Sequence, residues 1–210
     1  MSRWEKKPDV AFKKYIRPFF YMPKWVEDSK SISSKIKLNK RELFSLIVLA
    51  YTYGDNWVVG YSDDDSEPND GYITNGERKI QVEHKVVPQM DKSDVLSSII
   101  ETYKKYAAQG KGYGQNRVLV IQPNKATLNG NVRISDLIKE IDGESPFDKV
   151  YTLVANSFKG HNNSNNNEMV VMHITEHYPR EGESTIGKWM AQVNLDLKRG
   201  TAEVPHDGLS

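Results

Sequence analysis

Apolar residues recur at helical spacing directly after residue 39. Asn39 is followed three residues later by Glu42, and these two side chains can cap the start of a helix reciprocally. Gly54 is a residue type that commonly ends one. The apolar positions of this segment lie on one stripe, as in a helix that faces a core: Phe44, Ile47, Val48 and Tyr51. The pattern predicts a first helix between about residues 39 and 54.

Shorter runs rich in β-branched and aromatic residues predict strands. They are NWVVGYS (Asn56 to Ser62), RVLVIQP (Arg117 to Pro123), KVYTLVANS (Lys149 to Ser157) and EMVVMHITEHY (Glu168 to Tyr178).

Helical spacing returns in three further segments. The first is capped by Asp91 or Ser93 and ends before Gly110, the second covers Ser135 to Ile141, and the last carries Ile186, Trp189, Met190, Val193 and Leu197 on one face. Helices that alternate with strands in this way predict an α/β fold with a mixed sheet.

The stretch PNDGYITNGERKIQVEHKVV, from Pro68 to Val87, predicts a β-hairpin. Asn75-Gly76 favours a two-residue type I′ turn, in which Thr74 faces Glu77 and Asp70 faces Gln81. Side chains alternate along the second strand, so its two faces differ in chemistry. One face carries Lys79, Gln81, Glu83 and Lys85, and the other carries Ile80, Val82, His84 and Val86.

Asp70 and Glu83 are diagonal neighbours on the polar face in this register. Their Cβ atoms are then about 7 to 8 Å apart or somewhat less. Two carboxylates at that spacing suit a hard cation such as Mg²⁺, which keeps several waters and accepts a phosphate oxygen. Lys85 follows on the same face, where it can orient a metal-bound water or offset developing negative charge.

Pro68-Asn69-Asp70 followed by Glu83-His84-Lys85 resembles the PD-(D/E)xK motif of the restriction-endonuclease-like nuclease superfamily. The resemblance implies an α/β fold with an αβββαβ core, over about residues 39 to 123, in which a mixed central sheet is flanked by helices. It also implies a Mg²⁺- or Mn²⁺-dependent endonuclease that hydrolyses DNA. The predicted divisions are a basic, aromatic extension (1–38), a nuclease-like α/β domain (39–200) and a flexible tail (201–210).

Site roles follow from the same resemblance. Asp70 and Glu83 are the implied metal ligands, the carbonyl of His84 adds a third oxygen, and Lys85 is the catalytic lysine. Glu42 is the candidate for a further acidic ligand, although a capping role accounts for it more simply. Asp70 stands one place later than the family name implies, so Asp65 is the alternative first ligand.

The N-terminal segment is strongly basic. Its first 41 residues hold twelve Lys and Arg against four Asp and Glu, a net charge of +8, whereas the whole chain carries +1. Basic residues interleaved with aromatic ones can track a phosphate backbone and stack on bases. The candidate DNA contacts are Lys13, Lys14, Arg17, Lys24 and, on the hairpin, Gln81. A second interpretation is that the aromatic residues pack on the body while the lysines are solvated, and the two interpretations are compatible.

Other classes of protein are weakly indicated or excluded. A chain without cysteine has no disulfide or thiolate metal site, and no apolar run reaches the length of a membrane span. The absence of cysteine, together with an N-terminus that lacks the apolar region of a secretory signal, favours the cytoplasm. His173, Glu176 and His177 spell an inverted zinc-protease pattern, which needs a helix where the sequence favours a strand. Two alternatives to an enzyme stay open: a hairpin whose charges are merely solvated, and a non-catalytic module that binds nucleic acid or protein. The oligomeric state is also open, and a homodimer is possible for a nuclease that cuts both strands.

Overall fold

The structure is a computed structural model that describes residues 3–16, 30–62, 71–87, 95–123, 145–159, 168–178, 190–196 and 201–203. The strands are β1 (Arg3–Lys6), β2 (Ser31–Ser33), β3 (Ile36–Asn39), β4 (Val58–Ser62), β5 (Tyr72–Thr74), β6 (Lys79–Val87), β7 (Arg117–Pro123), β8 (Lys149–Lys159), β9 (Glu168–Tyr178), β10 (Met190–Asp196) and β11 (Thr201–Glu203). The helices are α1 (Pro8–Ala11), which continues as a π-helical turn (Phe12–Ile16), α2 (Lys40–Tyr53), α3 (Val95–Ala107) and α4 (Lys111–Gly114).

Nine of the described strands form one mixed sheet, in the order β1-β4-β5-β6-β7-β8-β9-β10-β11. The pairs β6–β7 and β7–β8 are parallel, and the other neighbours are antiparallel. Strands β2 and β3 form a separate hairpin. The predicted α/β class with a mixed sheet flanked by helices is therefore confirmed.

Helix α2 begins and ends as its sequence predicts. The Asn39 side chain accepts a hydrogen bond from the Glu42 N–H at 2.9 Å, and Glu42 Oε2 accepts one from the Asn39 N–H at 2.7 Å. Gly54 follows the helix with a φ of +123°, which favours glycine. The apolar face of α2 packs against one side of the sheet, where Val59, Ile73, Val82, Val118 and Val120 are buried.

Helix α3 covers the opposite side of the sheet. Ile99 and Tyr103 from the helix pack with buried residues of the strands and of the segment before β8: Val87, Leu119, Ile121, Phe147 and Val150. Strand β7 thus contributes alternate residues to a core on each side. A strand buried on both faces reads as a continuous apolar run, which explains the sequence VLVI from residue 118 to 121.

The N-terminal segment joins the body of the protein. Strand β1 pairs with β4 at one edge of the sheet, and Ala11, Phe12 and Ile16 are buried. The Phe12 ring lies 6.3 Å from the Phe44 ring of α2, measured between centroids. This part of the segment packs on the α2 side of the sheet, as the packing interpretation of its aromatic residues predicts.

The predicted two-residue turn of the hairpin is wrong. Thr74 pairs with Lys79 and Tyr72 with Gln81, so residues 75–78 form a four-residue loop. Only Gly76 has a positive φ, whereas a type I′ turn needs one at Asn75 as well. The longer loop is stabilised from within, because Asn75 Oδ1 accepts hydrogen bonds from the Glu77 and Arg78 N–H groups. A shift of two residues leaves every side chain on its predicted face.

The predicted C-terminal helix is also wrong where the structure describes it. Residues Met190–Asp196 form β10, which pairs antiparallel with β9. Ala191, Val193 and Leu195 alternate with Gln192, Asn194 and Asp196. This alternation has the period of two that is typical of a strand. The segment also fits the helical period of 3.6, and its pairing with β9 favours the strand.

Several predicted features lie outside the described residues. They are Asp65, Asp70, Arg17, Lys24, the cap residues Asp91 and Ser93, the segment 135–141, and the tail after residue 203. No helix in the described ranges is long and apolar enough to cross a membrane.

One row of residues crosses the sheet and links its edge to its centre. Glu5, Gly60, Tyr72, Gln81 and Arg117 stand side by side on β1, β4, β5, β6 and β7. The Tyr72 ring lies over Gly60, and its hydroxyl donates a hydrogen bond to Glu5 Oε1 at 2.9 Å. Glycine at position 60 leaves the space that this ring occupies.

Gly60→Ala is expected to destabilise the fold. A Cβ at this position would stand 2.3 Å from Tyr72 Cε2, so the ring or the strand must move. Overpacking of this kind costs about 1 to 3 kcal/mol in the free energy of unfolding. Urea denaturation followed by tryptophan fluorescence measures it. Gly112→Ala is the matched control, because its Cβ meets no atom within 4 Å, and equal loss of stability in both variants would contradict the explanation.

Candidate functional site

The predicted acidic and basic residues of β6 lie on the α3 side of the sheet. Gln81, Glu83 and Lys85 share a face with Val87, which packs in the α3 core, whereas Val82 belongs to the α2 core. The Glu83 side chain is only 7% exposed and that of Lys85 22%. A fully solvated hairpin is therefore not the arrangement at Glu83.

Glu83 is surrounded by hydrogen-bond donors and positive charge. Lys85 Nζ forms an ion pair with Oε1, Arg117 Nη1 lies 4.0 Å from Oε2, and the Tyr113 hydroxyl donates a hydrogen bond to the carboxylate. Burial raises the pKa of Tyr113 well above its usual value, and the hydrogen bond to Glu83 and its charge raise it further. Tyr113 thus stays a neutral donor at physiological pH.

Aromatic rings form one wall of this cluster. Tyr106 at the end of α3 stacks with Tyr113 of α4, with centroids 6.5 Å apart and an interplanar angle of 25°. Lys85 Nζ lies 5.0 Å from the centroid of Tyr106, and the Arg117 guanidinium lies 4.6 Å from that of Tyr113. Cations over ring faces are attracted by the ring quadrupole, so the wall helps to hold both side chains in place.

Tyr113 and Arg117 are residues that the sequence reasoning missed. The sequence pattern assigns Arg117 only to the start of the predicted strand RVLVIQP, and Tyr113 lies in the glycine-rich segment GKGYGQN before it. The basic and aromatic composition of the stretch GKGYGQNR was the available signal. Arg117 reaches Glu83 because β6 and β7 are parallel, with Gln81 beside Arg117 and Glu83 beside Leu119.

Asp70 lies outside the described residues, but its neighbour in the chain is well placed. Gly71 has a φ of +114°, and its carbonyl accepts a hydrogen bond from the Val82 N–H at 3.0 Å. Asp70 precedes Gly71, and Glu83 follows Val82. The pairing of β5 with β6 thus continues up to the two residues that adjoin the predicted ligands.

Glu42 is not brought to Glu83. It belongs to α2, which packs on the other side of the sheet, and its carboxylate completes the capping box with Asn39. The capping role predicted as its alternative is confirmed.

His84 points to the α2 side of the sheet. Its Nε2 lies 2.9 Å from Gln122 Oε1, and Gln122 is near the Ser45 hydroxyl. Burial lowers the pKa of His84 to about 4, the hydrogen bond with Gln122 opposes this, and Arg41 and Lys85 lower it further while Glu83 raises it. The imidazole is therefore neutral near pH 7 and donates to Gln122. Only its backbone carbonyl could serve as the predicted ligand.

The candidate DNA contacts divide between the two sides of the sheet. Gln81 shares the face of Glu83. Lys13 and Lys14 are exposed on the N-terminal segment, which packs against α2 on the opposite side. The described residues therefore bring Gln81 to the site but not the two lysines.

A zinc site of the inverted protease type is not supported. His173, Glu176 and His177 lie on strand β9, as predicted, where the pattern needs a helix. In the described ranges, no group of three or more His, Asp or Glu side chains is placed to hold a metal ion.

Comparison with known proteins gives no relative. No family model, no curated protein and no solved structure matches this chain.

His84 is expected to make stability depend on pH. Its pKa is near 6.5 in the unfolded chain and about 4 in the folded protein, so the unfolded chain binds more protons between these values. The stability present above pH 6.5 is lost as the pH falls toward 4. In metal-free buffer, His84→Gln should lose about 1 to 2 kcal/mol less than wild type between pH 7 and pH 5.

Urea denaturation at the two pH values measures this difference. The comparison is between pH dependences, because the substitution also changes the contact with Gln122. Identical pH dependences in the two proteins would show that His84 is not the group that titrates.

Proposed function

We propose that this protein is a Mg²⁺- or Mn²⁺-dependent endonuclease of the restriction-endonuclease-like superfamily, acting on DNA in the cytoplasm. One observation carries the proposal. Glu83 and Lys85 lie together on one face of β6, and the hydrogen bond between Gly71 and Val82 pairs the residues next to Asp70 and Glu83. This arrangement supports all three members of the D…ExK pattern as one site.

The order of elements supports the same proposal. Helix α2, the antiparallel strands β4, β5 and β6, helix α3 and strand β7 occur in this order along the chain, with the short helix α4 between α3 and β7. Helices α2 and α3 cover opposite sides of the sheet, and β7 adds parallel to β6. This order supports the αβββαβ core that the sequence resemblance implies.

The chemistry assigns a role to each side chain. Asp70 and Glu83 supply hard carboxylate oxygens, the ligand type that Mg²⁺ prefers, and the His84 carbonyl would add a third. A bound Mg²⁺ would acidify a water and neutralise charge on the phosphate. Lys85, already bonded to Glu83, orients the attacking water by hydrogen bonding and offsets negative charge in the transition state.

A non-catalytic nucleic-acid-binding module on the same fold is the second candidate. The observation that favours it is the ion pair of Glu83 with Lys85 and the hydrogen bond from Tyr113, which already compensate the buried carboxylate. In that case Glu83 stabilises the sheet and needs no cation. The two candidates differ in what a metal does to the protein.

DNA cleavage tests the enzyme directly. Wild type should nick or linearise supercoiled plasmid with Mg²⁺ or Mn²⁺, and Asp70→Ala, Glu83→Gln and Lys85→Met should each lower the rate by about a hundredfold or more, because each removes a group that acts on the transition state. Glu77→Gln and Lys35→Gln, which change exposed residues in two turns, are the matched controls. Cleavage that survives Asp70→Ala and Lys85→Met would overturn the site, and a wild type that binds DNA without cutting it would favour the binding module.

Metal binding can be measured apart from catalysis. Mg²⁺ at about 100 times its Kd should stabilise wild type by about 2.7 kcal/mol, because it binds the folded state alone. Differential scanning fluorimetry should show a higher Tm with Mg²⁺ for wild type and for Glu77→Gln, and no shift for Asp70→Asn or Glu83→Gln. An equal shift in all four proteins would place the cation elsewhere.

A further inference from the structure

Arg117 stands in the site with its guanidinium largely buried. Its side chain is 14% exposed, and its Nη1 atom is buried and has no hydrogen-bond partner in the described part of the chain. The distance of 4.0 Å to Glu83 Oε2 allows an ionic attraction but exceeds a hydrogen bond. A buried donor without a partner is costly, so an arginine in this state is suited to a ligand that supplies an acceptor.

Around Glu83, the described side chains carry more positive than negative charge. Glu83 is paired with Lys85, Tyr113 is neutral, and Arg117 adds a second cation. In the proposed nuclease, Asp70 and Glu83 balance a divalent cation, which leaves the charge of Arg117 to be compensated. An anion that enters the site supplies that compensation.

The surroundings fix the guanidinium and suit a nucleic-acid strand. Tyr113 lies under the guanidinium and packs edge-on against Phe147, with centroids 6.1 Å apart. Gln81 stands beside Arg117 in the sheet, and Lys105 lies 5.7 Å from the ring centroid of Tyr106. The guanidinium fork matches phosphate oxygens better than a lysine does, and aromatic rings flanked by basic residues are typical of single-strand binding surfaces.

We infer that Arg117 binds a phosphate oxygen of the nucleic acid and holds the phosphodiester against the Glu83–Lys85 pair. The location of this phosphate at a cleavage centre rests on the proposed nuclease function. The contact between Arg117 and a phosphate does not, since a binding module would use it as well. Tyr113 is the positioning residue that holds the guanidinium.

Binding without cleavage is the first readout. With EDTA present, fluorescence anisotropy of a fluorescein-labelled DNA oligonucleotide, single-stranded and as a duplex, gives the Kd at several salt concentrations. Arg117→Gln should weaken binding by about tenfold or more, as expected for loss of a charged hydrogen bond. The slope of log K against log salt should become less steep by about one, because one phosphate contact is lost.

Two further variants separate this role from a structural one. Arg117→Lys keeps the charge and loses the fork, so it should recover most of the salt slope but only part of the affinity. Arg78→Gln changes an exposed arginine in the hairpin loop and should leave both unchanged. The Tm of each variant, measured without DNA, shows whether it is folded under the assay conditions.

The outcomes distinguish the inference from the proposed function. If folded Arg117→Gln binds DNA with wild-type affinity and salt slope, the inference is overturned, whether or not the protein cuts DNA. Unchanged DNA binding together with a lower Tm would show that Arg117 has a structural role instead. Weaker binding by Arg117→Gln with no cleavage by wild type would support the phosphate contact and count against the nuclease. Failure of wild type to bind either form of DNA would overturn the inference as well.

Discussion

The buried carboxylate of Glu83 carries a charge that neighbouring groups must compensate, and the arrangement of the surrounding elements depends on this constraint. Taking a charge out of water costs several kcal/mol unless paired groups replace the lost hydration. Lys85 and Tyr113 supply such groups, and Arg117 adds charge at 4.0 Å. These residues come from β6, α4 and β7, so the carboxylate links three elements that are separate in the sequence.

The sheet makes this cluster possible by separating two kinds of interior. On the α2 side, Val82 and Val118 build an apolar core, and His84 is kept neutral beside Gln122. On the α3 side, the same two strands change from apolar residues at Val87 and Ile121 to charged residues at Glu83 and Arg117. Helix α3 and the turn of α4 end at this boundary, where Tyr106 and Tyr113 face the charges. The charged cluster around Glu83 is thus placed at the margin of the α3 core.

The proposed chemistry uses the charges that are clustered around Glu83. A nuclease must hold a cation and a phosphate together, so it needs carboxylates and basic side chains within a few ångströms of each other. The ion pair of Glu83 with Lys85 meets that need only if a cation can compete for the carboxylate. Rearrangement of this pair on metal binding is therefore the physical step that separates an enzyme from a binding module.

Some features of this protein follow from local sequence patterns, and others depend on contacts between distant parts of the chain. The cap formed by Asn39 and Glu42, the buried run of β7, the strands β8 and β9, and the two faces of β6 follow from side-chain spacing and hydrogen bonding within a few residues, so the sequence by itself determined them. The loop at Asn75 and the strand Met190–Asp196 were not predicted correctly, because the register of β5 on β6 sets the length of the loop and the pairing of β10 with β9 selects the strand. Of the site, Glu83 and Lys85 could be placed on one face from alternation alone. The approach of the Arg117 charge and of the Tyr113 hydroxyl to the buried Glu83 depends on the parallel pairing of β6 with β7 and on the packing of α4, which only the tertiary structure decided.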